Sequence, residues 1–165
     1  MEYPRFLVLE ASSYEETGYP IAASWSIADG QLKAIMIRPE DEWQEWDSSN
    51  EDRHGLTRQQ IEMVGESVLD VIRELAEDVD KSPVYVSEPY LYEKWLHRMY
   101  DAYGAEAPFD IYPLSDLFNM SDEELQEELE ILSSNLLLDI KVPEDRVRTL
   151  LELYVRLKDS GLIKE

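Results

Sequence analysis

Glu10 closes the strand-like run Phe6-Leu7-Val8-Leu9, a position suited to metal chemistry. Two carboxylates spaced two residues apart on a strand project from one face, because side chains there alternate with a period of two. Such a pair, joined by acids from elsewhere in the chain, can hold divalent cations against a phosphate ester and let them activate water. Here the residue two before Glu10 is Val8. One acid of the pair is present and its partner is aliphatic. The frame of a hard-cation site is there, with a ligand missing.

Other chemistries have less support. The absence of cysteine excludes thiolate nucleophiles, thiolate metal sites and disulfides. The two histidines, His54 before a helix and His97 within one, are too few for a histidine-rich metal centre. His54 is expected to serve local backbone groups. Ser12 and Ser13 have neither a neighbouring base nor the glycines of a nucleophile elbow. Six glycines in all leave no phosphate-cradling loop.

Charge limits the partners. Fifteen basic against 37 acidic residues give a net charge of −22 and a pI near 4.3. Proteins that grip nucleic acid gain affinity from Lys and Arg releasing counterions, so nucleic-acid binding is expected to be weak or absent. A length of 165 residues, 44% of them hydrophobic, fits one domain spanning 1–165 with a real core. The opening Met1-Glu2-Tyr3-Pro4-Arg5 does not read as a signal peptide and no apolar run reaches membrane-spanning length, so a cytoplasmic location is expected.

The elements that would position Glu10 follow from periodicity. Residues 5–9 read as a buried strand, and the apolar runs 21–27 and 32–37 flank Asp29-Gly30 as a hairpin. A loop with seven acids and two tryptophans, Trp43 and Trp46, runs from Pro39 to Asp52, and those rings are expected to pack onto the sheet. Thr57-x-x-Gln60 caps a helix whose apolar positions run from Ile61 to Leu75. Val84 to Val86 is a short strand, residues 90–103 a helix, and Phe109 to Tyr112 a last strand before a helical turn at Leu114. Ser121-x-x-Glu124 opens a Glu-rich helix, and Pro143 begins the final one. The acids of 122–128 read as a solvated face, or in a second reading as a docking surface for a basic partner. The order predicts an α/β fold, a mixed five-stranded sheet with an antiparallel hairpin at its edge and helices on both faces.

That order, with its local wording, resembles the ribonuclease H-like DEDD-type 3'-5' exonucleases, the group of oligoribonuclease, ribonuclease T and polymerase proofreading domains. The match covers about residues 5–158 and rests on Glu10-Ala11-Ser12-Ser13 with Gly18-Tyr19-Pro20-Ile21, on Trp43-x-x-Trp46-Asp47 and His54-Gly55-Leu56-Thr57, on Val84-Tyr85-Val86-Ser87-Glu88 with Trp95-Leu96, and on Val147-Arg148-Thr149-Leu150-Leu151. The resemblance implies a role for each matching position. The family's first aspartate falls on Val8 and its glutamate on Glu10; the second-motif aspartate falls on Glu88. The third-motif aspartate falls on Arg146, with Asp145 beside it, and the general-base histidine falls on Lys141. A position often Glu in close relatives is Ala22.

Those substitutions imply a degraded site. Val8 cannot ligate a hard cation, and Lys141 and Arg146 put positive charge where two metals would sit. An ion-pair cluster of these cations with Glu10 and Glu88 is the expected filling. The expected role is a non-catalytic binding or regulatory protein, a pseudoenzyme without cofactor and with an unidentified protein partner. A second reading keeps an active 3'-5' exonuclease on short RNA or DNA, with Glu10, Glu88 and Asp145 holding Mg or Mn. A third is an acidic protein that mimics nucleic acid toward a basic partner.

Overall fold

The computed structural model describes residues 2–164. Three strands, β1 (Arg5–Ala11), β2 (Pro20–Ser26) and β3 (Leu32–Arg38), form an antiparallel meander. A short helix α1 (Glu51–His54) follows the acidic loop, then α2 (Arg58–Val64), β4 (Glu66–Ser67) and α3 (Val68–Val79). The remaining elements are β5 (Val84–Val86), α4 (Pro89–Asp101), β6 (Ile111–Pro113), α5 (Asp122–Asn135) and α6 (Pro143–Leu157). The sheet order is β4-β3-β2-β1-β5-β6, with β1 parallel to β5 and β3 parallel to β4.

Two details correct the sequence expectation. The sheet has six strands, and β4, not the hairpin, forms its edge. The helix expected to run from Thr57 through Leu75 is broken at Gly65. A Cβ there would lie 2.3 Å from the Ile61 carbonyl oxygen and 2.6 Å from the Arg38 amide nitrogen, so only glycine permits this approach to β3. The chain pairs Glu66 and Ser67 with Ile37 and Arg38, and the Ser67 hydroxyl then caps a fresh helix by accepting from the Asp70 amide at 3.2 Å. Met63 and Val64 are left exposed by the break.

The alternation along β1 divides the core. Leu7, Leu9 and Ala11 face a cluster built with α3 and α4, while Phe6 and Val8 face α5 and α6. On this second face Ala22 and Ser24 stand opposite Glu10 and Val8, small enough for α6 to lie across β1, β2 and β3. The buried hydroxyls of Ser24 and Ser26 donate to the Lys33 and Pro4 carbonyls at 2.8 Å, which removes the cost of burying them. Trp43 is buried against Tyr19, their rings 5.4 Å apart, so the acidic loop packs onto the sheet as expected. No helix of the described residues is long and apolar enough to cross a membrane.

Candidate functional site

Glu10 sits where the sheet opens. Strand β1 pairs with β5 only through Arg5 and Phe6, so the two parallel strands part before Glu10 is reached. The Tyr92 side chain of α4 enters the gap, its hydroxyl accepting from the Leu9 amide at 3.2 Å and lying 3.4 Å from the Leu9 carbonyl as donor. Burial raises the pKa of this phenol, which stays neutral. Beyond the parting lies an open cleft of about 940 Å³ at the carboxyl ends of β1 and β5. That is the place where open α/β sheets receive ligands.

The cleft gathers four elements around Val8 and Glu10. Glu88 comes from the turn after β5, Asp52 and Arg53 from α1, Gln126 and Glu130 from α5, Arg146 from the start of α6 and Lys141 from the turn before it. Five acids and three bases line it: Glu10, Asp52, Glu88, Asp122 and Glu130 against Arg53, Lys141 and Arg146. Asp145, one residue from Arg146, does not line it. Its carboxylate accepts from the Asp139 amide at 3.0 Å and holds the loop before α6.

Glu10 has a cation partner, contributed by a residue the sequence did not single out. The Arg53 guanidinium is ion-paired and hydrogen-bonded to its Oε1, and donates at 3.1 Å to the Ala11 carbonyl. It also lies over the Tyr14 ring, 4.2 Å from its centre. The Glu10 Oε1 takes a further hydrogen bond from the Ala11 amide at 3.0 Å, at the register shift between Glu10 and Ala11 in the β1–β2 pairing. The Tyr14 phenol is pushed up by burial first, then by the Glu10 carboxylate. A side chain only 12% exposed thus has its charge balanced by one arm of the guanidinium, whose other arm is fixed on the Ala11 carbonyl.

The expected ion-pair cluster is therefore built differently. Arg146 donates to the Gln126 side-chain oxygen at 3.2 Å, tying α6 to α5, and forms no ion pair with Glu10 or Glu88. Lys141 and Glu88 are exposed, and among the described residues neither side chain has an ion pair or hydrogen bond. Among those residues no three of His, Cys, Asp and Glu are grouped to hold a metal ion.

These residues do not fit a two-metal centre. Val8 offers no oxygen, Glu10 is held by a guanidinium and Asp145 is turned away. A guanidinium carries charge but cannot bind and acidify water as a divalent ion does. The cleft can bind and orient mixed-charge groups, and its aromatic wall of Tyr14, Tyr92 and Trp95 adds apolar contact.

His54, beside Arg53, serves the backbone as expected. Its Nδ1 accepts from the Leu56 amide at 3.1 Å, which requires the neutral ring. Burial first, then the Arg53 charge, lowers its pKa below the ordinary 6.5. Its contribution to stability is intact above 6.5 and decays as pH falls below that value, because the unfolded chain then binds the proton more readily. In an NMR titration the His54 imidazole is expected to titrate below 6.5; a midpoint at or above it would mean the acceptor bond is not formed.

The architecture is that of an exonuclease-type α/β fold. A structure described as 3'-end specific recognition of histone mRNA stem-loop by a 3'-exonuclease superposes with a TM-score of 0.70 at 12% identity, over 99% of this chain and 86% of that one. Exonuclease I of E. coli, in complex with a dA16 oligonucleotide, gives 0.72 at 10% identity, over 98% of this chain and 42% of that one. Exonuclease I from Methylocaldum szegediense gives 0.68 at 10% identity, over 98% and 41%. The chain thus spans less than half the length of the exonuclease I structures it matches. No family model matches the sequence, and no curated protein matches it either.

Proposed function

We propose that this exonuclease-fold chain is a non-catalytic binding or regulatory protein whose cleft is a degraded DEDD-type two-metal site. On this reading Val8, Glu10, Glu88, Arg146 and Lys141 occupy the positions of the family's ligands and base. Arg53 has taken the place of the cation at Glu10, and that ion pair is the observation that carries the proposal. The cleft volume of about 940 Å³ falls within the ~300–1,000 Å³ usual for ligand sites, which favours retained binding over a filled-in relic. The test is metal-dependent shortening of labelled single-stranded oligonucleotides, where none is expected.

A further inference from the structure

Arg53 reaches Glu10 from a single turn of helix. The Gly55 amide bonds the Glu51 carbonyl at 2.7 Å to close α1, and the chain leaves through Gly55 in the left-handed conformation, φ 74°. Four residues cannot hold a helix by themselves, because nucleation fixes several residues for one bond. Side chains must hold it. Arg53 does so through Glu10, Ala11 and Tyr14. His54 does so through the Leu56 amide, which donates to its Nδ1 at 3.1 Å.

The His54 ring is enclosed. Because Nδ1 accepts, the single proton of the neutral ring is on Nε2. That nitrogen is shut off from solvent and has no hydrogen-bond partner among the described residues. The Trp46 ring lies against the imidazole, centres 5.3 Å apart, and its indole N–H reaches the Glu51 carboxylate at 3.4 Å. A second proton would go on Nδ1, opposite the Leu56 N–H, so donor would meet donor. The other N–H would still lack an acceptor, now in a charged ring. Burial first and then the Arg53 charge oppose that proton, while Glu51 favours it. Asp47, ahead of α1, is bonded to Ser49. Around Arg53 stand Glu10 from β1, Tyr14 from the loop after it and Asp52 from α1 itself, with Glu88 acting on Tyr14.

We propose that α1 is an acid-sensitive latch on the cleft: protonation of His54 unwinds it and withdraws Arg53 from Glu10. The charged ring leaves its enclosure for water and the Leu56 bond goes with it. The last turn of α1, which Arg53 shares, then opens and bares the Glu10 carboxylate to the cleft. A released ring takes up its proton near the ordinary 6.5, the enclosed ring only below it. Each pH unit between those two values therefore favours release by up to about tenfold, and above 6.5 the latch stays closed. The inference rests on the reading of the cleft as a binding site and assigns its regulation. Its test uses neither ligand nor nuclease substrate, so it can fail while that reading stands.

The test is an NMR pH titration of the intact protein. The Arg53 guanidinium lies 4.2 Å from the centre of the Tyr14 ring, which gives a nuclear Overhauser contact between the two side chains. That contact is expected to fade with the same midpoint as the His54 imidazole, below 6.5, while the Leu7 and Leu9 amides of β1 keep their folded positions. Between neutral pH and about two units below the midpoint the loss should be at least ~10-fold. His54→Asn is the decisive variant. An asparagine oxygen two residues before Leu56 accepts the same amide as an Asx turn and carries no titrating proton. In it the Arg53–Tyr14 contact should persist through the pH range in which wild type loses it. A contact that survives full protonation of His54 in wild type would overturn the proposal, even if His54→Asn failed to fold. So would a contact that fades equally in His54→Asn, or one lost only together with the β1 amides.

Discussion

Single-stranded DNA or RNA incubated with the purified protein and Mg²⁺ or Mn²⁺ is expected to keep its 3' end. In a two-metal mechanism one cation activates water and the other stabilises the leaving oxygen. Both depend on carboxylates meeting at one point. Here Val8 supplies none, Glu10 is bound by Arg53, and Asp145 faces its own loop. On the proposed reading Lys141 stands at the base position, and loss of a general base alone removes a factor of roughly 10²–10⁴ in rate. The net charge of −22 further opposes approach of a polyanion, most strongly at low salt. Shortening from the 3' end that requires metal and disappears in Glu10→Gln would reverse the proposal and promote the active-exonuclease reading.

Replacing Arg53 should cost more stability than a surface ion pair. Exposed pairs are worth up to about 1 kcal/mol, whereas stranding one member of a buried pair costs about 3–5. Glu10 and Arg53 lie between these limits, with side chains 12% and 29% exposed, and Arg53 also bonds Ala11 and covers Tyr14. Arg53→Ala is therefore expected to lose about 2 kcal/mol in urea unfolding. Adding Glu10→Gln should recover part of that loss, since no carboxylate is then left without a partner. A loss under half a kilocalorie, unchanged by Glu10→Gln, would show that the pair is a solvated contact.

The sheet was legible because its signals are local. The continuous apolar run Phe6 to Leu9 marks β1, Asp29-Gly30 marks the hairpin, and Ser121 and Pro143 mark the starts of α5 and α6. Strand β4 was hidden because Ile61, Val64, Val68, Val71 and Ile72 keep helical spacing straight through Gly65. Only the close approach of Gly65 to Arg38 breaks the helix, and that contact is tertiary. The partner of Glu10 was hidden for a similar reason. Arg53 lies 43 residues away in an acidic stretch. Its one signal is that it is the only Lys or Arg between Arg38 and Arg58. Asp145 and Arg146 looked interchangeable in sequence, but neighbours on a helix point about 100° apart, so only Arg146 reaches the cleft.

Manganese titration of the intact protein, followed by the EPR signal of free Mn²⁺, bears most directly on the central claim that a guanidinium fills the cation position at Glu10. Wild type is predicted to leave the signal at the level of a nonspecific acidic surface, with no saturable site below millimolar concentration and no change in Glu10→Gln. A saturable micromolar site that is lost in Glu10→Gln would contradict the claim, because it would show that the cleft still holds metal.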